Sequence, residues 1–426
     1  MTQEEKQTAI PKLRFSEFKN ENKWTTESLG SLATIVNERV GDRECVPMSI
    51  TSGVGLVSQI EKFGRIVAGD SYKNYVLIRK NDFAYNKSAT KEYPEGFIAH
   101  YSGDEPAAVP NSIFTCFRIN GDSPDPRYLN YLFLGNLHGR WLRKFIEVGA
   151  RAHGSLSVKD DDLLALPIPL PVGKSSLAEQ QKIAECLSTL DELIEAESRK
   201  LDALKDHKKG LMQQLFPREG ETRPRLRFPE FQNAPDWKEK SIGDVGEVVT
   251  GSTPSTAKRE YYGGDIPFVS PADISELRFV ETTKTTLTEL GFAQTRPIRA
   301  GSTVFVCIGS IGKVAQIRRD SATNQQINSV IPNSDHDDAF VYYALVQNAD
   351  RVTKLAGVQT LPIVNKSQFS SVPLMVPRPD EQRRIAACLS SLDDLIAAQS
   401  EKLKALRTHK RGLMQQLFPN PSGFES

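Results

Sequence analysis

The chain has 426 residues, too many for one ordinary hydrophobic core at roughly 100 to 200 residues per domain. Hydrophobic residues at 39% and charged residues at 25% exclude a disordered polyelectrolyte, and a formal net charge of +1 excludes a polycation that coats nucleic acid indiscriminately. A local basic groove stays open, because phosphate contacts need only one face.

The first fifteen residues carry Glu4, Glu5, Lys6 and Lys12 instead of an apolar signal core, and no run of about 18 apolar residues follows, so a cytoplasmic chain with no membrane partner is expected. After PKLRFSEFKNENKW (11–24), short Val/Ile/Phe/Tyr runs broken by Gly, Pro, Asn and Asp predict strands over 75–86 and 112–119. A helical stretch over 126–145 and an apolar LPIPLP strand close this part. Two polar loops, 85–96 and 149–157, hold donors and acceptors suited to phosphates and base edges: Tyr85, Asn86, Lys87, Ser88, Lys91, Arg151 and His153.

Residues 179–217 then predict a long helix, free of Pro and Gly from Glu179 to Lys209 and stopping near Phe216-Pro217. Its apolar residues Ile183, Leu187, Leu190, Ile194, Leu201, Leu204, Leu211 and Leu215 follow a 4-3 step through Glu197 and Lys208, the pattern of a coiled-coil seam. At 1.5 Å per residue such a helix is roughly 58 Å long.

The pattern now repeats. PRLRFPEFQNAPDW (224–237) echoes the opening segment, strand runs follow over 302–317 and 329–334, a helical stretch over 338–355, and a VPLMVP strand. The polar loops here are 251–264, 309–313 and 357–366, with Asn324-Gln325-Gln326 beside them; amides of this kind either read adenine through N6 and N7 or satisfy backbone groups beside a strand. Candidate contacts are Ser252, Thr253, Ser255, Lys258, Arg259, Ser310, Lys313, Asn324, Gln325, Gln326, Gln359 and Thr360. A second long helix over 381–419 matches the first at about 27 of 39 positions, a likeness beyond chance, and continues the seam through Ile385, Leu389, Leu392, Ile396, Leu403 and Leu406, with Gln399 and Lys410 at its polar steps.

Each seam is the obvious mate of the other, with Glu197 facing Gln399 and Lys208 facing Lys410 as register-setting polar positions. Leu193, Ala196, Leu395 and Ala398 form a second apolar stripe that suits an external helical partner. The expected boundaries are a domain over 1–177, a spacer helix over 178–217, a domain over 218–379, a spacer helix over 380–419 and a tail over 420–426. The expected class is α/β (mixed α+β), two globular domains separated by two long coiled-coil helices that form an internal repeat. Residues 38–165 and 250–370 share little alignable sequence, so contacts in one domain do not transfer to the other.

The search for catalytic apparatus is negative. Gly309 to Lys313 lacks the first glycine of a phosphate loop and Val314 stands where Ser or Thr is needed; Gly53-Val54-Gly55 lacks a third glycine; no zinc-protease or nucleophile-elbow motif occurs. Cys45, Cys116, Cys186, Cys307 and Cys388 lie far apart, without metal-ligand spacing, and read as packed thiols. His207 and His409 occupy equivalent helix positions between lysines and read as polar surface.

The tandem order, the junctions LPIPLP…AEQQKIAECLSTLDELI and VPLMVPRPDEQRRIAACLSSLDDLI, and the second-domain segments WKEKSIGDVGEVVTGSTPS and ATNQQIN resemble the specificity subunits of type I restriction-modification systems over nearly the full length. The resemblance implies a non-catalytic chain whose two target recognition domains each read half of a bipartite site on double-stranded DNA, with the two long helices packed antiparallel, about a pseudo-twofold, as the spacer between them. It also implies docking of two modification (methyltransferase) subunits and of restriction (endonuclease and translocase) subunits. Those partners would bring S-adenosylmethionine, ATP and Mg. Readers on one DNA face stand about 34 to 36 Å apart, a separation the helices can span. A two-domain protein-protein scaffold is the competing expectation, and a nuclease or methyltransferase in its own right conflicts with the negative motif search.

Overall fold

The computed structural model describes residues 10–51, 54–146, 156–356 and 362–419. Two compact units divide the chain, one built from residues up to Glu195 together with those from Lys404 onward, the other from Ala196–Leu403.

In the first unit the strands are β1 (Thr25–Ser28), β2 (Ala33–Ile35), β3 (Val46–Thr51), β4 (Gly55–Ser58), β5 (Val76–Ile78), β6 (Phe83–Asn86), β7 (Phe97–His100), β8 (Ala107–Val109), β9 (Phe114–Ile119) and β10 (Pro167–Leu170). They form sheets of order β2-β9-β6-β7 and β4-β3-β8-β5, plus the antiparallel pair β1-β10. The helical stretch expected over 126–145 breaks at Gly135-Asn136 into Pro126–Leu134 and Leu137–Leu142, with a 3-10 turn at Arg143–Phe145.

The second unit adds β11 (Lys238–Ser241), β12 (Gly246–Thr250), β13 (Tyr262–Val269), β14 (Thr285–Leu287), β15 (Thr303–Val306), β16 (Val314–Gln316), β17 (Ala322–Thr323), β18 (Ile327–Pro332) and β19 (Pro373–Val376). Their orders are β12-β18-β15-β16, β14-β13-β17 and β11-β19, and helices Asp338–Gln347 and Ala349–Lys354 follow. The four-stranded sheet thus has one topology in both units, and β8 runs parallel to β3 as β17 does to β13. Sequences that cannot be aligned by eye share a fold because a strand demands only buried apolar character, which many side chains satisfy.

The long helices span Ser176–Leu215 and Pro379–Leu417. Pro379 suits a first turn, where its missing N–H costs nothing, and each helix ends before Phe-Pro. Their shared Glu-Gln start has a structural purpose in each unit. Arg14 donates to Glu179 through Nε and Nη2 at 2.7 Å each, and the Trp24 indole N–H donates to the same carboxylate at 3.3 Å. Arg227 and Trp237 grip Glu381 at 2.8, 2.7 and 3.2 Å. Both carboxylates are buried to about 1% exposure, so the bidentate guanidinium and indole are the groups that make burial of the charge tolerable. Gln180 Oε1 accepts from the Asp125 N–H at 2.9 Å, and Gln382 Oε1 from the Asp337 N–H at 3.0 Å. Those aspartates are the N-caps of the domain helices Pro126–Leu134 and Asp338–Gln347. The echoed LRF…W segments therefore fasten each helix start to its domain.

The helix ends complete the cores. Phe418 packs on Tyr128 with ring centroids 5.5 Å apart, and Ile183, Leu187 and Leu417 share its cluster. Phe216 packs on Phe340 and Trp237 at 5.5 and 5.8 Å, in a cluster with Ile385 and Leu389. Every seam position is buried or half-buried, whereas Leu193, Ala196, Leu395 and Ala398 are exposed.

The polar seam positions depart from expectation in one respect. Gln399 does donate to the Glu197 carboxylate, at 2.6 Å, whereas Lys208 and Lys410 each take an aspartate partner within their own unit. Lys208 donates to Asp393 at 2.5 Å in the second unit, and Lys410 donates to Asp191 at 2.5 Å in the first. In the second unit, partners fall in number along one helix as they rise along the other, so those segments run antiparallel, and a lysine meets an aspartate instead of its own repeat. Two facing lysines would repel, while this arrangement neutralises both. Tyr131 and Tyr343 donate their hydroxyls to the same two aspartates, tying the domain helices to the long ones.

Candidate nucleic-acid interface

In the second unit, the polar loops collect at one end of the four-stranded sheet because the strand order brings β12, β18 and β15 side by side. Beyond the last rungs of these ladders the backbone continues to pair. The Gly251 N–H donates to Ile327 O at 3.0 Å, Ser252 to Thr323 O at 2.9 Å, and Cys307 to Gln326 O at 2.8 Å. Glycine is required at 251 by close approach: a Cβ there would stand 2.2 Å from Asn324 O. The Thr253 hydroxyl donates to Gln325 Oε1 at 2.6 Å, and Asn324 Nδ2 to Gln326 Oε1 at 3.0 Å. The segment beginning at Pro362 joins the cluster through Gly309, whose N–H donates to Pro362 O at 3.1 Å.

The structure thus brings Ser252, Thr253, Asn324, Gln325 and Gln326 together. Ser255, Lys258, Arg259, Ser310 and Lys313 are exposed around them, while Gln359 and Thr360 lie outside the described residues. Lys258 donates to the Tyr261 hydroxyl at 3.1 Å and stands 5.1 Å from its ring; the hydrogen bond raises the ammonium pKa, so the charge persists. Lys313 reaches back to Pro271 O at 3.3 Å.

In the first unit, Lys87, Ser88 and Lys91 are at least partly exposed, and the Lys87 carbonyl accepts from the Leu156 N–H at 2.7 Å, which brings the ends of the two expected loops together. Arg151 and His153 lie outside the described residues. Tyr85 and Asn86 require correction. β6 is buried on both faces, so Tyr85 is 0% exposed and its hydroxyl donates to Glu95 O at 2.9 Å; Asn86 is 6% exposed and its Oδ1 accepts from the Ser88 N–H at 3.0 Å. They shape the base of the loop and do not present themselves outward.

Sequence reasoning missed the rest of that base. Arg143 Nε donates to Glu95 at 2.7 Å, and His138, 0% exposed, places Nε2 at 3.2 Å from Gly96 O. Burial pushes the His138 imidazole down to about 4, so it is neutral and its Nε2–H donates to the carbonyl. Only strand pairing reveals that a histidine more than forty residues along the chain holds this loop.

The family described as type I restriction modification DNA specificity domain matches residues 59–206 and 235–408, well over half of the chain and part of both units. The chain belongs to this family. The type I restriction enzyme MjaIX specificity subunit of Methanocaldococcus jannaschii is 32% identical over 191 residues, a match covering 43% of each protein. The HindI specificity subunit of Haemophilus influenzae is 34% identical over 149 residues, 33% of this chain and 32% of that one. The chain thus spans less than half the length of these two relatives. The putative MjaX specificity subunit of M. jannaschii matches more extensively, at 24% identity over 76% of this chain and 74% of its own length. Among solved structures, the type I restriction-modification S subunit from M. genitalium aligns with a TM-score of 0.59 at 16% identity, covering 96% of this chain and 99% of that one. At that identity the likeness concerns the fold. Among the described residues no helix is long and apolar enough to cross a membrane, and no His/Cys/Asp/Glu group could hold a metal ion.

Proposed function

We propose that this chain is the sequence-reading subunit of a type I restriction-modification complex, with no catalytic group of its own. One observation carries the reading: two units share one sheet topology, match one DNA-specificity family, and present different side chains from equivalent loops. A duplicated frame with divergent loops is the arrangement expected of two readers of unlike half-sites, and it predicts a bipartite, asymmetric target on double-stranded DNA.

The long helices are the spacer that sets the gap between half-sites. A 40-residue helix is about 60 Å long, enough to hold two readers one DNA turn apart. Their exposed stripe, including Leu193 at 42% and Leu395 at 55% exposure, is the proposed seat of helices from two modification subunits. Those subunits supply S-adenosylmethionine chemistry, and restriction subunits supply ATP- and Mg-dependent translocation and cleavage.

Duplex DNA binding by the full chain, assembled with its methyltransferase partner, tests the reading. Affinity should fall steeply with salt, by a log-log slope of about 0.9 per phosphate neutralised, and mapped methyladenine should show one interrupted, asymmetric motif. A flat salt response would favour the scaffold reading, since peptide docking releases few counterions.

A further inference from the structure

The first domain has no segment resembling Asn324-Gln325-Gln326, yet the sheets supply its counterpart. In the second unit β15 pairs with β18, and the next bond outward runs from the Cys307 N–H to Gln326 O at 2.8 Å. In the first unit β6 pairs with β9, and the next bond outward runs from the Lys87 N–H to Ile113 O at 2.9 Å. With β2-β9-β6-β7 and β12-β18-β15-β16 sharing one strand order, these two bonds are the same rung, so Ile113 stands where Gln326 stands, Ser112 where Gln325 stands and Asn111 where Asn324 stands. The strand entering each turn agrees, since β8 and β17 are both parallel partners of the strand after the first long loop. The first turn is closed one residue wider, by Phe114 N–H to Pro110 O instead of Ile327 N–H to Asn324 O.

We propose that the β8–β9 turn, Asn111-Ser112-Ile113, reads bases of the first half-site, and this rests on the DNA-reading function above. All three residues are exposed, and among the described residues the Asn111 and Ser112 side chains have no hydrogen-bond partner. An asparagine amide free of internal bonds matches N6 and N7 of adenine, and an exposed isoleucine, 38% accessible, matches the thymine methyl. The amides of the second unit are tied to one another and to Thr253, so the two turns present different faces to DNA. Lys87 is bonded to the turn through its backbone and pairs its ammonium with Asp160 at 3.4 Å, while the exposed Lys91 on the same loop places a cation for the flanking phosphates. Ile113 also borders a cleft of about 370 Å³ with Ser49, Thr51, Lys62 and Thr90, so hydroxyls and one further cation lie beside it.

The experiment compares Asn111→Ala with the parent, each as the purified complex with its methyltransferase partner. Competition binding would use the mapped target, duplexes altered one base at a time, and an unrelated duplex. The expected result is about a tenfold loss for the parental target, lost discrimination at one position of the first half-site, intact discrimination in the second, and unchanged affinity for the unrelated duplex. Gln325→Ala should give the reciprocal pattern. Full discrimination at every first-half-site position would overturn the proposal, as would an equal loss on the unrelated duplex, which would mark a phosphate or folding role. A parent complex that shows no preference for any duplex would instead refute the DNA-reading function itself.

Discussion

Removing the Asp393 carboxylate should destabilise the second unit far more than removing Asp191 destabilises the first, although the two are repeat equivalents. Asp393 accepts from Lys208 Nζ at 2.5 Å and from the Tyr343 hydroxyl, with side-chain exposures of 16% for the lysine and 10% for the aspartate. Arg278, itself donating to the Tyr343 hydroxyl at 3.1 Å and to Ser390 Oγ at 2.6 Å, adds positive charge to the same cluster. Asp393→Ala leaves Lys208 desolvated and unpaired, a loss of about 3 to 5 kcal/mol for a buried pair. In the first unit Lys410 and Tyr131 hold Asp191 at 2.5 and 2.8 Å, and Lys410 is as buried as Lys208, at 17% exposure; Asp191 itself is 42% exposed, however, so water enters the space its carboxylate leaves and solvates the ammonium, and about 1 kcal/mol is expected for Asp191→Ala. At about 2 to 4 °C per kcal/mol, the Asp393 variant should melt about 10 °C early and the Asp191 variant by a few degrees. Calorimetry of the full chain, with hydrogen exchange in helices Pro126–Leu134 and Asp338–Gln347 to assign each transition, measures both. A double variant, Lys208→Met with Asp393→Leu, should recover most of the loss, because an apolar pair carries no desolvation penalty. Equal losses for the two aspartates, or no recovery in the double variant, would refute the reasoning.

Gly251→Ala places a Cβ 2.2 Å from Asn324 O, so the backbone must separate there; methylation mapping should show degeneracy in the second half-site alone, and an unchanged motif would contradict the convergence of these loops. His138 is held neutral in the fold with its pKa pushed down to about 4, against about 6.5 in the unfolded chain. Its contribution is therefore present above pH 6.5 and lost as pH falls toward 4, about 3 kcal/mol over that window, and His138→Gln should flatten the pH dependence of the first unit's unfolding. An unchanged slope would assign the acid sensitivity to other groups, such as His100, whose pKa burial also pushes down to about 4. Shortening both long helices by one turn, about four residues, should change the gap between half-sites and leave the half-sites themselves as they were; an unaltered gap would exclude the spacer role.

Much of this architecture was legible in the primary structure. The duplicated helices, their 4-3 seam and their Pro-terminated ends are local properties of periodicity and backbone chemistry, and the helices fall at Ser176–Leu215 and Pro379–Leu417 against an expectation of 179–217 and 381–419. The apolar runs between turn residues located β5, β6, β9, β10, β15, β16, β18 and β19, because burial of a strand leaves its mark within a few residues; the other strands named above, such as β3, β4 and β13, are less apolar and went unread. What only the tertiary structure decided are relations between distant residues. Direction of packing made Lys208 a partner of Asp393, since a repeat carries no information about whether its copies run parallel or antiparallel. Burial on both faces of β6 turned Tyr85 from a surface candidate into an anchor. Strand order, which depends on long-range pairing that many sequences satisfy equally, is what sets Asn111-Ser112-Ile113 in the place of Asn324-Gln325-Gln326.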